Sequence, residues 1–250
     1  MLNLVEASAF SFPKSNDRIN QDSILSPIKL GDGYLLAVAD GVGSYPGGDV
    51  ASKIAIDYLK NVGSKADLYN TNKIFSEIKE KIINFSSSDT KYSRAATTLT
   101  FAFIDCEGLR VSHIGDCRLY VRKGSHLEQL TKDHTHFQKL IDEKAFTKKD
   151  LEGTKAKSML TTAIAQNVEM FADSFFIPTG SLPYKNDNIN LYIMSDGAHY
   201  FWEKRPRFSP NTMNSISQFS NSFKRRIEKL SPIDDYSYVG LSVNLTESVK

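Results

Sequence analysis

Two apolar runs in this sequence each deliver an aspartate and then a glycine. Ala37-Val38-Ala39 leads into Asp40-Gly41, and Tyr192-Ile193-Met194-Ser195 leads into Asp196-Gly197. One Asp-Gly pair after a strand is a common turn. Here, however, further acids stand at element boundaries: Asp22 before an apolar run, Asp116 within HIGDCR, and Asp234-Asp235 ahead of the last apolar stretch. A buried carboxylate is costly unless it is paired, hydrogen-bonded or metal-bound. Carboxylates gathered at one rim of a sheet scaffold would also repel and raise one another's pKa. Divalent cations resolve that conflict, and oxygen ligands with no nearby His/Cys set favour Mg²⁺ or Mn²⁺ over Zn²⁺. One aspartate can bridge two ions, and the glycine after it leaves its carbonyl accessible as a further oxygen ligand. Two ions held in this way activate a water and clamp a phosphoryl group for in-line attack.

The elements that must position these acids follow from the hydrophobic pattern. YLLAVAD at 34–40 reads as a buried strand. Apolar residues at 50, 51, 54, 55, 58, 59 and 62 then repeat with helical spacing, with Gly63 placed as a C-terminal cap. Ile74, Phe75, Ile78, Ile82 and Phe85 predict a second amphipathic helix. The β-rich runs between 97 and 130, separated by Glu107-Gly108, Gly115-Asp116 and Lys123-Gly124-Ser125, predict an antiparallel meander. Residues 131–165 are polar and read as mostly helical, a small appendage on the main body. A strand ends at Asp196. Ser209-Pro210 opens a helix whose inner face runs from Met213 to Leu230, and Val239, Leu241, Val243 and Leu245 form one face of a closing strand. The pattern predicts one α+β domain with antiparallel sheets over residues 1–250.

The chain has 31 basic and 29 acidic residues among 250 and is 40% hydrophobic, an ordinary globular composition. Near-cancelling charge gives no field to collect nucleic acid or a membrane surface, and Lys224-Arg225-Arg226 reads as a solvated helix face. No run approaches the length of a membrane span, and no signal-like start is visible. Cys106 and Cys117 read as reduced thiols in a cytoplasmic protein.

Taken in order, RINQD, ADGVGSYPGGDVAS, AATTL, VSHIGDCRLYVRKGSHLEQLTKDHT, KSMLTTAIAQ, LYIMSDG and DDYSYVGLSV resemble the motif series of the metal-dependent serine/threonine protein phosphatases, the type 2C or PPM family, in its compact bacterial form. The resemblance spans about residues 15 to 245. It implies a central β-sandwich of two antiparallel sheets flanked by helical pairs, with metals in a cleft at one end. It also implies that phosphoserine and phosphothreonine are hydrolysed by a water bridging two Mn²⁺ or Mg²⁺ ions. Asp40 would bridge both ions, the Gly41 carbonyl would hold one, and Asp196 and Asp234 the other. Asp22 would act through water. Asp116 with Asp196 matches a weaker third-metal site, Arg18 would bind substrate phosphate, and residues 131–165 match a flap beside the cleft. The implied partners are phosphorylated proteins and a cognate Ser/Thr kinase, with the phosphatase itself a monomer.

The sequence departs from the family pattern at four places. Arg18 stands four residues before Asp22 where the family usually has an arginine five before, with Lys14 as the fallback. Val42 replaces a histidine of the eukaryotic members, Gln21 a common glutamate, and Cys117 a usual serine. Cys117 reads as a small core residue, since no neighbour would stabilise a thiolate. His134 and His136 read as turn residues, Trp202 as packing, and His199 as a residue near the cleft. Asp234 reads as the ligand of its pair because neighbours on an extended segment point to opposite faces. Asp235 then reads as a hydrogen-bonding partner that asparagine could replace silently. The rival readings are a pseudophosphatase binding module, opposed by retention of Asp40, Gly41, Asp196 and Asp234, and a metal phosphodiesterase, opposed by the lack of a basic, aromatic-laced groove.

Overall fold

Alternating apolar residues and the turns between them set the element order. A computed structural model describes residues 2–43, 45–151, 153–184 and 188–245. Met1, Ser44, Glu152 and the ends of the expected domain beyond 245 therefore lie outside the described residues. The chain begins with strands β1 (Leu2–Phe12), β2 (Asp22–Leu30) and β3 (Gly33–Asp40), followed by helices α1 (Gly48–Lys60) and α2 (Thr71–Ser86). Then come β4 (Ala96–Thr97), β5 (Leu99–Ile104), β6 (Gly108–Ile114), β7 (Arg118–Lys123), β8 (His126–Gln129), α3 (His136–Asp142), β9 (Ile164–Ala165) and β10 (Asp173–Pro178). The last part holds β11 (Asn188–Met194), α4 (Asp196–Lys204), α5 (Pro210–Met213), α6 (Ile216–Lys229) and β12 (Tyr236–Leu245).

Among the described residues the strands form two five-stranded sheets, ordered β1-β12-β11-β7-β8 and β10-β6-β5-β3-β2, with β4 and β9 paired beside them. The pairings are antiparallel. The two sheets bury Leu36, Val38, Val111, Leu119, Ile193, Val239 and Leu241 between them. The alternate residues of the same strands face outward onto helices. Leu35, Ala37, Phe101 and Phe103 pack against α1 and α2 through Leu59, Phe75 and Ile78. Tyr192 and Tyr238 pack against α4 and α6 through Trp202, Phe219 and Phe223. This is the expected α-β-β-α sandwich, and the expected alternation of Val239, Leu241 and Val243 is its inner face.

Four local expectations need correction. The run from 97 to 130 is not a single meander: β5 pairs with β6 in one sheet, β7 with β8 in the other, and Gly115-Asp116-Cys117 carries the chain across. Gly63 is no cap, because α1 ends at Asn61, whose N–H reaches back to carbonyls of its own last turn. Among the described residues of 131–165, the elements are α3, a short 3-10 turn at Lys155–Ser158 and β9, so the stretch is mostly irregular. Finally, the expected strand to Asp196 stops at Met194, with Asp196 opening α4, and the helix expected from Ser209 is broken between α5 and α6.

The break frees the α6 N-terminus, and the first sheet caps it. Glu6 of β1 accepts hydrogen bonds from the Ile216 and Ser217 backbone N–H groups at 2.7 and 3.0 Å and from the Ser215 hydroxyl at 2.9 Å. Burial pushes its carboxyl up, but the bonds from Ser217, Ser215 and Ile216 outweigh that and hold it below the ordinary 4.5. A carboxylate with a lowered folded pKa stabilises the protein above the unfolded value, and the contribution fades as pH falls through the folded one. Glu6→Gln should therefore cost about 1–3 kcal/mol at neutral pH. Urea midpoints taken across pH should show the gap to wild type closing below pH 4.5; a constant gap would refute the assignment.

Candidate metal and phosphate site

At one end of the sandwich, a like-charge pair is built into the strand register. Asp22 opens β2 directly opposite Asp40, which ends β3. Opposed like charges destabilise a sheet, so this position needs compensation. The backbone around Asp40 is well held: its carbonyl accepts the Thr98 N–H at 2.8 Å and the Thr97 hydroxyl at 2.9 Å. Asp196 arrives from the other sheet as the first residue of α4, where the helix dipole favours a negative charge. Asp116 comes from the crossover between the sheets. His134 holds that crossover, accepting the Gly115 N–H on Nδ1 at 3.2 Å and donating its backbone N–H to the Gly115 carbonyl at 2.7 Å.

These residues meet at a cleft of about 310 Å³ lined by Asp40, Asp116, Asp196 and Asp234, with Lys14 and Arg18 among its walls. Ser158 and Leu160, from the 131–165 segment, line it too. The expected acids thus converge, and the segment expected as a flap reaches the cleft. Asp22 is not on this wall; it is buried behind, where the Ser195 hydroxyl donates to its Oδ2 at 2.8 Å. Its Oδ1 is buried without a hydrogen-bond partner among the described residues.

The electrostatics follow from burial and proximity. Burial raises the Asp40 carboxyl well above the usual carboxylate range, and the charges of Asp22, Asp196 and Asp116 add to the shift. Asp116 is raised by burial and then by Asp196 and Asp133, while Arg118 pulls the other way. Asp22 and Asp196 are raised chiefly by burial, with Asp196 and Asp235 adding for the former and Asp234 for the latter. Asp40 and Asp196 thus belong to one repelling group, each carboxyl pushed up with the other close by.

Both Asp-Gly pairs have one explanation. A Cβ on Gly41 would collide with the carbonyls of Gly48 and Gln21, and a Cβ on Gly197 with the carbonyl of Asp235. Each glycine lets a second backbone segment lie against the strand end, which brings the aspartate before it into a crowded rim.

Other sequence candidates resolve to structure. Asp133 pairs with Arg118 through two bonds of 2.8 and 2.7 Å. The His134 ring is held between Gly115 and Asp173 and lies tilted at 40° against His113. Burial pushes the His113 imidazole down to about 3, so it stays neutral. His199 is buried behind the cleft with Nε2 near the Asp116 carbonyl at 3.2 Å, not on the cleft wall. Trp202 is packed in the core. Cys117 is buried, and burial together with the charges of Asp40, Asp116 and Asp22 pushes its thiol well up.

Three residues that the sequence reading passed over or undervalued hold the acids in place. Ser195 spends its hydroxyl on Asp22 and accepts the Ser237 N–H at 2.9 Å, leaving α4 without a side-chain cap. Ser237 and Ser195 also exchange a backbone bond across the two segments. Their adjacency to Asp196 and Asp235 was the available signal. Asp235 does more than fill an asparagine position: its two carboxylate oxygens accept the backbone N–H groups of Lys14 and Gln21, each at 2.7 Å. It thereby fixes both ends of the loop that carries Arg18.

The protein phosphatase 2C family profile matches residues 14–237. The chain belongs to the protein phosphatase 2C family. Among curated members, the serine/threonine phosphatase stp of Listeria monocytogenes is 27% identical over 152 residues, 58% of this chain and 60% of that protein. The protein phosphatase PhpP of Streptococcus pneumoniae is 27% identical over 161 residues, 62% of this chain and 65% of that protein. The chain's match thus spans less than two thirds of these relatives. The fold agrees with a bacterial serine phosphatase at TM-score 0.80 and 18% identity, covering 98% of this chain and 100% of that one. It also agrees with the catalytic domain of the phosphatase PstP in complex with 2 manganese ions, at TM-score 0.73 and 21% identity, covering 98% and 100%.

Where the sequence reading expects asparagine at 235 to be nearly silent, the structure would leave it one acceptor oxygen for two backbone donors, so the change should be felt. Asp235→Asn should cost about 1–3 kcal/mol and speed hydrogen exchange at Lys14 or Gln21. Unchanged exchange at both amides would show that the carboxylate does not hold this loop.

Proposed function

We propose that the chain is a phosphatase of phosphoserine and phosphothreonine in proteins, working with Mn²⁺ or Mg²⁺ bound at the acidic cleft. The convergence of Asp40, Asp116, Asp196 and Asp234 on one cleft that also carries Arg18 and Lys14 supports this reading most directly.

The donor set fits such ions. Its side chains are hard oxygen donors, burial and neighbouring charges push the Asp40 and Asp196 carboxyls up, and Asp22 keeps a buried oxygen without a hydrogen-bond partner among the described residues. Hard oxygen donors suit Mg²⁺ or Mn²⁺, which keep several waters of their own. The manganese-bound PstP relative agrees with this choice.

In this reading Asp40 and the Gly41 carbonyl would hold one ion, and Asp40, Asp196 and Asp234 would hold the other. Asp116 with Asp196 offers the place for a third. When bound, the ions supply charge neutralisation and activation of a water. Asp22, held by Ser195, orients water from behind the cleft. Arg18, with Lys14 beside it, binds the phosphate oxygens; an arginine suits that role by its planar fork of donors. No side-chain nucleophile is required, and Cys117, with its raised thiol pKa, is unfit for one. Val42 offers no proton, so the leaving alkoxide takes its proton from water. The substrates in this reading are phosphoproteins, a cognate Ser/Thr kinase among them, met by a monomer in the cytoplasm; among the described residues no helix is long and apolar enough to cross a membrane.

Turnover of a phosphothreonine peptide should require Mn²⁺ or Mg²⁺ and vanish in excess EDTA; full activity in the chelator would overturn the mechanism. Asp234→Asn should lower kcat by orders of magnitude at saturating Mn²⁺. Arg18→Ala should raise KM more than it lowers kcat. An unaltered KM would transfer phosphate binding to Lys14.

A further inference from the structure

A second surface feature lies at the far end of α4. Lys204, Arg205, Arg207, Arg225, Arg226 and Lys229 line one groove of about 580 Å³, and no acid among the described residues lines it. In a chain whose net charge is only +2, that is a strong local concentration. Among the described residues none of the six takes part in an ion pair, although Glu203 and Glu228 are neighbours in sequence. Those two are committed elsewhere, to Arg118 and Lys224.

Helix C-termini account for part of this charge, since Lys204 closes α4 and Arg226 and Lys229 lie in the last turn of α6. They do not account for Arg205, Arg207 or Arg225. The groove is also shaped in advance. Arg226 donates to the carbonyls of Arg205 and Arg207 at 2.6 and 2.7 Å, tying the segment after α4 to α6. Its guanidinium lies 3.7 Å from the Phe208 ring centroid, and Phe208 packs edge-on against Phe219 and Phe223. Burial and the charge of Arg205 lower the Arg226 guanidinium to about 10, as expected for a cation held beside others without an anion. Phe208 and Leu230, the latter 55% exposed, add apolar surface to the same groove.

We propose that this groove docks an acidic polypeptide segment bearing an apolar anchor residue. Charge complementarity requires an anion, and the preformed apolar surface suits a side chain between carboxylates better than a phosphate backbone or a flat headgroup layer. α4 links groove and cleft: Asp196 opens it and Lys204 ends it, about 12 Å apart at 1.5 Å per residue. An acidic stretch several residues from a phosphoserine or phosphothreonine would therefore reach the groove while the phosphate occupies the cleft. Only this identification of the occupant as a substrate segment rests on the phosphatase reading.

The test uses the full chain and an unphosphorylated, fluorescein-labelled peptide of glutamate and aspartate with one central leucine. Anisotropy at low ionic strength should show saturable binding that weakens at least about tenfold in about 0.5 M salt. The exposed-residue variant Arg205→Glu/Arg225→Glu/Lys229→Glu should lose binding to the same degree while keeping its circular dichroism spectrum and its turnover of an aryl phosphate. A phosphothreonine peptide extended by the acidic stretch should have a lower KM than one with a neutral extension, and the variant should abolish the difference. Peptide binding unaffected by the variant would overturn the proposal, as would stronger groove-dependent binding of phosphatidylserine vesicles or of duplex DNA. An inactive enzyme that still bound the peptide at this groove would refute the phosphatase reading and leave the docking site standing.

Discussion

The mutual repulsion of carboxylates at one end of the sandwich is the constraint on which the other features of the site depend. Asp22 and Asp40 are register partners on neighbouring strands, and Asp116 and Asp196 enter from the crossover and from the other sheet. Burial alone would make each costly, and their proximity compounds the cost. The surrounding structure neutralises them only in part. Lys14 and Arg18 line the cleft and hydroxyls and a helix N-terminus add to them, while Arg118 is spent on Asp133 and Glu203. A fold that holds four acids together in this way has left its charge to be balanced by something that binds.

The same constraint explains why the scaffold has its particular joints. Gly41 and Gly197 admit a second backbone beside each acidic strand end. Asp235 pins the Arg18 loop by its two ends, so that the cleft's cations are placed by an acid that stays out of the cleft itself. Ser195 sacrifices a helix cap to hold Asp22. Helices α1 and α2 on one face, and α4 and α6 on the other, cover the outer sides of the sheets with aliphatic and aromatic residues. That packing gives the rim a rigid base.

Much of this was legible in the sequence, for physical reasons that differ by element. Long amphipathic repeats such as Ile74-Ile78-Ile82 and alternations such as Val239-Leu241-Val243 carry their own period, and both elements form where the pattern placed them. The acids at 22, 40, 116, 196 and 234 were visible because a charge at the end of an apolar run is conspicuous. What local pattern could not carry was the partner of each strand. The turn at Gly115-Asp116 looks the same whether β7 folds back on β6 or crosses to the other sheet; it crosses, held by contacts outside the turn such as the His134 bonds to Gly115. The α4 helix was hidden because its first residue continues a strand-like run, and the role of Asp235 was hidden because its donors lie more than two hundred residues earlier. The basic groove escaped for the same reason: Lys204–Arg207 and Arg225–Lys229 are ordinary polar stretches until α4 and α6 bring them together.

In the proposed reading, divalent cations offset the repulsion among these acids, and thermal unfolding without any substrate probes that balance. A ligand that binds the folded state stabilises it by about 2.7 kcal/mol at a hundred times its Kd. In EDTA-treated protein at neutral pH, Tm should climb steadily with the logarithm of Mn²⁺ concentration. Asp40→Asn should melt higher than wild type in EDTA, having lost a repelling charge, and should gain much less from added Mn²⁺. A wild-type Tm indifferent to Mn²⁺, or an Asp40→Asn variant that gains as much as wild type, would contradict the account.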